Sequence, residues 1–237
     1  MANLGLGLGV SGGAPIGVET PAYNWYSLKF DGENDYVQCG SPLQTQIVTM
    51  IAWVKPTQIG DYVGVCGCAE STGLNGYRLG INTTGKIDAL VGNGSSYELT
   101  TGDTSIVVDT WNMITMSVDG NFIRVFLNGV EDSATPTART ITTTFSNEFT
   151  IGAWSDLGSK FEGYIDEVSV WGVTLSEPNI NQLYNLGVPQ DLRGTTPVAL
   201  KGYWTFNDGI SADDMSTFGN DGVITGATHQ TDTPPRA

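Results

Sequence analysis

F-E-G-Y-I-D-E-V-S-V-W-G-V-T-L, residues 161–175, is the stretch whose reading settles the fold. Tyr164, Asp166, Val168 and Val170 alternate along it with Ile165, Glu167, Ser169 and Trp171. A period of two marks a strand, because successive side chains of an extended chain point to opposite faces. Inside this otherwise apolar run sits a pair of neighbouring carboxylates, Asp166 and Glu167.

Outward from that strand, short alternating runs recur between clusters of Gly, Asn and Asp, the habit of an antiparallel sandwich. Residues 49–54 (T-M-I-A-W-V), 76–81 (G-Y-R-L-G-I), 86–91 (K-I-D-A-L-V), 111–118 (W-N-M-I-T-M-S-V) and 122–127 (F-I-R-V-F-L) all read this way. Asp119-Gly120 and Asn128-Gly129 are turn dipeptides of the hairpin-closing type. Only residues 177–186 carry a helical pattern, with Ser176 as cap, Pro178 in the first turn, and Ile180, Leu183 and Tyr184 on one face. Residues 189–197 read as a connector into a last group of strands, which is too short to build a core of its own.

The chain has 237 residues and a formal charge of −15, from 10 Lys and Arg against 25 Asp and Glu. That size suits one large all-β sandwich. The charge disfavours nucleic acid and anionic membrane surfaces as partners, and no apolar run reaches the length of a membrane span. Residues 1–18 lack the basic start and continuous apolar run of a secretory signal, so synthesis in a cytosol, with retention there or release by lysis, is expected. Cys39, Cys66 and Cys68 are too few and too poorly grouped for a disulfide scaffold or a metal site, and are expected to be buried thiols. Residues 1–22 carry no charge before Glu19 and cannot build a core. Leu4, Leu6, Leu8 and Val10 alternate there with glycine, which reads either as an extended arm that buries one side against a partner or as a disordered tail. The expected organisation is therefore an arm, 1–22, and a sandwich, 23–237.

Three segments resemble laminin-G-like, concanavalin A-like jelly-roll domains. The run G-Y-I-D-E-V-S-V-W (163–171), followed by L-S-E-P-N-I-N-Q-L-Y (175–184), is similar to the closing strand and short helix of that family. Residues 27–37, S-L-K-F-D-G-E-N-D-Y-V, resemble its opening strand and turn. Residues 202–226, with Y-W-T-F and D-M-S-T-F-G-N-D-G, resemble an element that normally comes first in the family and here comes last. The hairpin 111–129 and the F-T-I-G of 149–152 fit the same pattern. The resemblance implies an all-β jelly roll with one short helix, permuted so that both ends of the chain contribute strands.

The family includes glycoside hydrolases with two glutamates flanking an aspartate on one strand. Here Glu162, Asp166 and Glu167 depart from that spacing, so no enzymatic activity is expected. By resemblance, Asp166, Asp214 and Asn220 occupy positions where the family often holds calcium; the other reading of Asp214 and Asn220 is as turn formers. Sugar binding is the family's commonest role. It needs an aromatic plate beside amides or carboxylates, for which Tyr62, Tyr77, Asn82, Tyr97 and Trp154 are the candidates. Trp53, Trp111, Trp171 and Trp204 are expected in the core. The chain also resembles laminin-G-like proteins of marine bacteriophages, which implies a capsid-decorating or tail-associated virion protein. Its partners would be other virion proteins, copies of itself and a polysaccharide. The competing expectation is a free carbohydrate-binding module or bacterial adhesin.

Overall fold

The computed structural model describes residues 25–40, 43, 45–192 and 199–235. Leu4, Leu6, Leu8 and Val10 of the expected arm lie outside the described residues. In chain order the strands are β1 (Ser27–Asp31), β2 (Tyr36–Gln38), β3 (Val48–Pro56), β4 (Val63–Gly67), β5 (Asn75–Ile81), β6 (Lys86–Asn93), β7 (Tyr97–Ser105) and β8 (Asn112–Val118). They continue as β9 (Phe122–Leu127), β10 (Val130–Glu131), β11 (Thr137–Ala138), β12 (Thr150–Ile151), β13 (Glu162–Trp171), β14 (Leu200–Trp204), β15 (Val223–Thr225) and β16 (Thr228–Gln230). The helix α1 (Glu177–Tyr184) follows β13. Among the described residues no helix is long and apolar enough to cross a membrane.

Two antiparallel sheets face each other. The first has the order β10-β9-β8-β3-β13-β1-β16, with β11 beside β9 and β14 beside β13; the second runs β15-β2-β12-β4-β5-β6-β7. The long strands supply alternate residues to the space between them. Met50, Ala52 and Val54 of β3 point inward, as do Tyr77, Leu79 and Ile81 of β5 and Ile87, Ala89 and Val91 of β6. Cys39, Cys66 and Cys68 lie in the same core, unbridged, and burial pushes the Cys68 thiol up to about 12. The Asn-Gly turn behaves as its dipeptide requires. Asn128 (φ 51°) and Gly129 (φ 84°) both take the left-handed conformation between β9 and β10. Asp119 Oδ1 instead accepts from the backbone of Asn121 (2.6 Å) and Phe122 (2.7 Å) to close β8 onto β9.

A smaller second core covers the outer face of the first sheet. Ile51, Trp53, Met113, Trp171 and Tyr203 pack there against Leu175 and Ile180, and the Trp53 ring stacks on Tyr184 of α1 at 5.7 Å. Trp53, Trp171 and Trp204 are buried as expected, whereas Trp111 is half-buried at the rim, with its indole N–H donating to Asp232 at 3.0 Å. Ser176 occupies the N-cap position of α1, but its side chain makes no capping bond; its backbone carbonyl accepts from Asn179 and Ile180 instead. The helix stops at Tyr184 rather than 186 because Asn185 turns left-handed at φ 46°.

β13 departs from the simple alternation. Between Asp166 and Ser169 it takes three steps while its neighbour β3 takes two, from Trp53 to Ile51, so one residue is inserted as a bulge. Glu167 sits there at φ 50°, and Asp166 Oδ1 accepts its backbone N–H at 2.8 Å. The insertion switches the parity of the strand. Ile165, Val168 and Val170 all enter the main core, although the two-residue period assigned Ile165 to the opposite face. The carboxylate pair is thus the bulge itself, with Glu167 buried and receiving the Tyr203 hydroxyl.

Both ends of the described chain are woven into the sandwich. β13 is flanked along its first half by β1 and along its second half by β14. β15 pairs with β2 at one edge of the second sheet, and β16 pairs with β1 in the first. Trp204 is fully buried and stacks on Phe149 across the core at 5.5 Å.

Candidate functional site

The outer face of the second sheet carries the most suggestive chemistry. Gly64 of β4, Gly80 of β5, Asp88 of β6 and Thr101 of β7 are cross-strand partners and form one row across it. Two adjacent glycines leave a notch in that row, and Trp154 fills it. A Cβ on Gly64 would lie 2.4 Å from the Trp154 ring, and one on Gly80 would lie 3.8 Å from its Nε1. The loop that carries Trp154 is held down by Ser155 N–H on the Ala69 carbonyl (3.2 Å) and by Ser71 N–H on Asp156 Oδ2 (3.0 Å).

Beside the notch, the Arg78 guanidinium stacks on the Trp154 ring at 3.8 Å from its centroid and donates to the Glu70 carbonyl at 2.8 Å. Trp154 Nε1 is buried and has no hydrogen-bond partner among the described residues. A buried indole N–H normally has an acceptor, so an orphaned one marks a place where a ligand oxygen would be welcome. Asp88 is half-buried, and its Oδ1 accepts from Thr101 Oγ1 (2.7 Å) and Asn82 Nδ2 (3.4 Å). Burial raises its carboxyl above the ordinary value, more than the hydroxyl, the amide and the Arg78 charge lower it. Burial likewise lowers Arg78, against the pull of Asp88, Asp156 and Glu70. The row therefore presents a desolvated acceptor next to an unused donor, the pairing that a sugar hydroxyl, itself donor and acceptor, would satisfy.

The next positions along the same face are Tyr62, just before β4 and half exposed, then Asn82, Lys86 and Ser105. Of the five aromatic and amide residues expected at a sugar site, the fold brings Tyr62, Asn82 and Trp154 together. Tyr97 is exposed on the same face, where it partners Gly92 one row beyond Arg78, near enough to act on the Arg78 charge. Tyr77 is corrected: it is 1% exposed, faces the core and gives its hydroxyl to the Leu43 carbonyl, because its position on β5 has inward parity. Arg78, Asp88 and Thr101 are additions that the sequence did not flag. A charge on an alternating strand reads as a solvated face unless the glycines beside it are known to seat an indole.

The set proposed for calcium resolves differently. Asp214 Oδ1 accepts from the backbone of Tyr203 (2.9 Å) and Ser216 (2.8 Å); its Oδ2 accepts from Ser216 Oγ (2.8 Å) and from Asn220 N (2.8 Å) and Nδ2 (2.9 Å). Asn220 also donates to the Lys201 carbonyl at 2.8 Å, and its own carbonyl receives the Trp204 indole at 3.0 Å. Five protein donors occupy the oxygens a cation would need, so this set does not fit calcium and serves to staple the loop after β14. Asp166 is fully buried in the bulge. Among the described residues no group of three or more His, Cys, Asp or Glu side chains is arranged to hold a metal ion. Of the carboxylates weighed for hydrolysis, Glu162 is tied to Thr57 and Gln58, while Glu167 is buried against Tyr203. The turn at Asp31–Asp35 is a turn in the structure too, with Asp31 Oδ1 accepting from Glu33 (2.8 Å) and Asn34 (3.1 Å).

Residues 31–181 match the family Laminin_G_3, of the concanavalin A-like lectin/glucanases superfamily. No curated protein matches the chain. Among solved structures, a candidate carbohydrate-binding protein from Bacteroides ovatus is similar over 90% of this chain, at TM-score 0.66 and 20% identity. The chain spans 62% of that protein's length. Domain 4 of an extracellular arabinanase from Geobacillus stearothermophilus, solved with arabinotriose, is similar over 67% of this chain and 76% of its own, at TM-score 0.55 and 19% identity. The Ruminococcus gnavus IT-sialidase CBM40 bound to α2,3-sialyllactose is similar over 67% of this chain and 96% of its own, at TM-score 0.57 and 13% identity. At such identities the likeness is one of fold.

Proposed function

The chain belongs to the Laminin_G_3 family of concanavalin A-like lectins and glucanases, and on that premise we propose that it is a non-enzymatic polysaccharide-binding protein whose site is the outer face of its second sheet. The observation that carries this reading is the Trp154 indole N–H, buried and partnerless among the described residues, beside the desolvated Asp88 carboxylate. Tyr62 supplies an exposed ring on the same face. The arabinotriose and sialyllactose complexes of similar folds support saccharide as the ligand class.

A glycan array probed with the intact protein tests the proposal, followed by titration of the best binder. Trp154→Ala is expected to weaken that binder about ten- to a hundredfold, the effect of losing both a ring contact and a hydrogen bond. Because the expected metal set is occupied by protein donors, added chelator is expected to leave the affinity unchanged. Binding to no glycan, or undiminished binding by the variant, defeats the proposal.

The reading extends to a place of work. The alternating Leu4, Leu6, Leu8 and Val10 support residues 1–22 as an anchor to other proteins of a bacteriophage particle, made in the host cytoplasm, with the sandwich facing outward. Removing residues 1–22 is then expected to abolish incorporation into particles while leaving glycan binding intact. Full incorporation of the shortened chain would favour the second reading, a free carbohydrate-binding module or adhesin; the similarity in fold to domains of glycan-acting enzymes supports its carbohydrate-binding part.

A further inference from the structure

A cleft outside the site already described lies where β1 begins. A cleft of about 190 Å³ opens between Trp25 and the loop that follows β14, lined by Trp25, Asn207, Asp208, Ser211, Asp213 and Met215. Trp25 is 46% exposed, an unusual position for the largest apolar side chain. Phe206 holds a left-handed backbone at φ 54° immediately before Asn207. Such strain in a residue without special freedom is kept only where the surroundings impose it.

The orientation of the Asn207 amide is fixed by its neighbours. Its Oδ1 accepts the backbone N–H groups of both Trp25 and Tyr26 (the latter at 3.2 Å), so the Nδ2 must be the other end. That Nδ2 is buried and has no hydrogen-bond partner among the described residues. Asp208 is committed elsewhere: it accepts from Ile210 N (3.0 Å), Ser211 N (2.9 Å) and Ser211 Oγ, and so stiffens the loop. Asp213 stands exposed at the rim.

We propose that this cleft binds one neutral pyranose unit, stacked on Trp25, with a ring hydroxyl accepting from Asn207 Nδ2 and another donating to Asp213. The space accommodates a single sugar ring rather than a chain. Two carboxylates at the cleft disfavour sialylated, uronic or sulfated sugars, which sets this site apart from the arginine-backed face of the second sheet. The inference shares with the proposed function only the class of ligand, since it rests on different residues.

The test follows the Trp25 indole N–H resonance in nitrogen-labelled full-length protein, assigned by its loss in Trp25→Phe. The probes are cellotriose, laminaritriose, mannotriose and maltotriose, with 3′-sialyllactose as the charged control. At least one neutral trisaccharide is expected to shift the Trp25 signal saturably and sialyllactose to leave it in place. Asn207→Asp keeps the backbone-binding oxygen and replaces the donor; it is expected to weaken the shift at least tenfold with an unchanged melting temperature. Trp154→Ala is expected to leave the shift as it is. A Trp25 signal that no neutral sugar moves overturns the inference, and if the Trp154 face still binds glycan the proposed function survives it. Silence at both places removes both readings, and a response to sialyllactose alone overturns the neutral class.

Discussion

At the residue scale, Asp88 shows how one side chain is made useful at a cost to the fold. Its pKa is raised above the unfolded value by burial, so the ionised form found at neutral pH opposes folding. That opposition fades as pH falls through the raised pKa, and the carboxylate's capacity to accept a hydroxyl fades with it. Asp88→Asn removes the charge without changing the shape. It is expected to raise the melting temperature at pH 7 while reducing glycan affinity about tenfold or more, as the loss of a charged hydrogen bond dictates. Thermal melts and titration on the same preparation check both signs; a variant that loses stability and keeps affinity would contradict the assignment. The sequence singled out Tyr62, Asn82 and Trp154 because aromatic and amide residues stood beside loops, and the fold sets them on one face. Arg78 was not singled out, since it is covered by an indole brought from more than sixty residues away along the chain, and Asp88, one strand over, read as a solvated charge. Tyr77 misled for the reverse reason: a tyrosine near a loop looks available until strand parity turns it inward.

At the level of elements, the glycines of β4 and β5 and the bulge of β13 decide what each face can hold. Gly64→Ala places a methyl 2.4 Å from the Trp154 ring and 2.6 Å from the Ala153 carbonyl carbon. Neither can yield without moving the loop, so the substitution is expected to destabilise the protein by about 1–3 kcal/mol. It should also abolish glycan binding at Trp154 without touching any polar group. Chemical denaturation together with the glycan titration tests this, and normal affinity in Gly64→Ala would detach Trp154 from the site. The strands themselves were readable: residues 122–127 and 86–91 fall within β9 and β6. The bulge was not, because periodicity counts residues and cannot see one that has been inserted. Its trace was present nonetheless in the adjacent Asp166 and Glu167, two acids that a regular buried strand would have no means to accommodate. Similarly, the F-T-I-G run of 149–152 is a strand only at Thr150–Ile151, since Gly152 turns at φ 81° against the ring of Phe30.

For the molecule as a whole, the order of its parts matters more than any one of them. The three segments that resemble the family predicted a sandwich to which both ends contribute, and β14, β15 and β16 occupy three different positions in the two sheets. Trp204, Phe206 and Ala212 add side chains to the main core. A chain ending at residue 198 would lose all of these, and burial of a tryptophan such as Trp204 alone contributes about 3–5 kcal/mol. It is expected to show no cooperative thermal transition and no near-ultraviolet circular dichroism. A sharp melt from that truncated chain would mean that the last strands decorate the sandwich instead of completing it.

The shared flank of β13 has one more implication, for the way the protein is made. Synthesis delivers β1 early and β14 long after it, yet both must zip onto the same strand. A nascent chain therefore waits on the ribosome with half of one central strand edge uncovered, and such edges invite pairing with whatever is near. Until β14 has been made that edge stays open, so crowding among sister chains during rapid expression is a point at which this architecture is vulnerable.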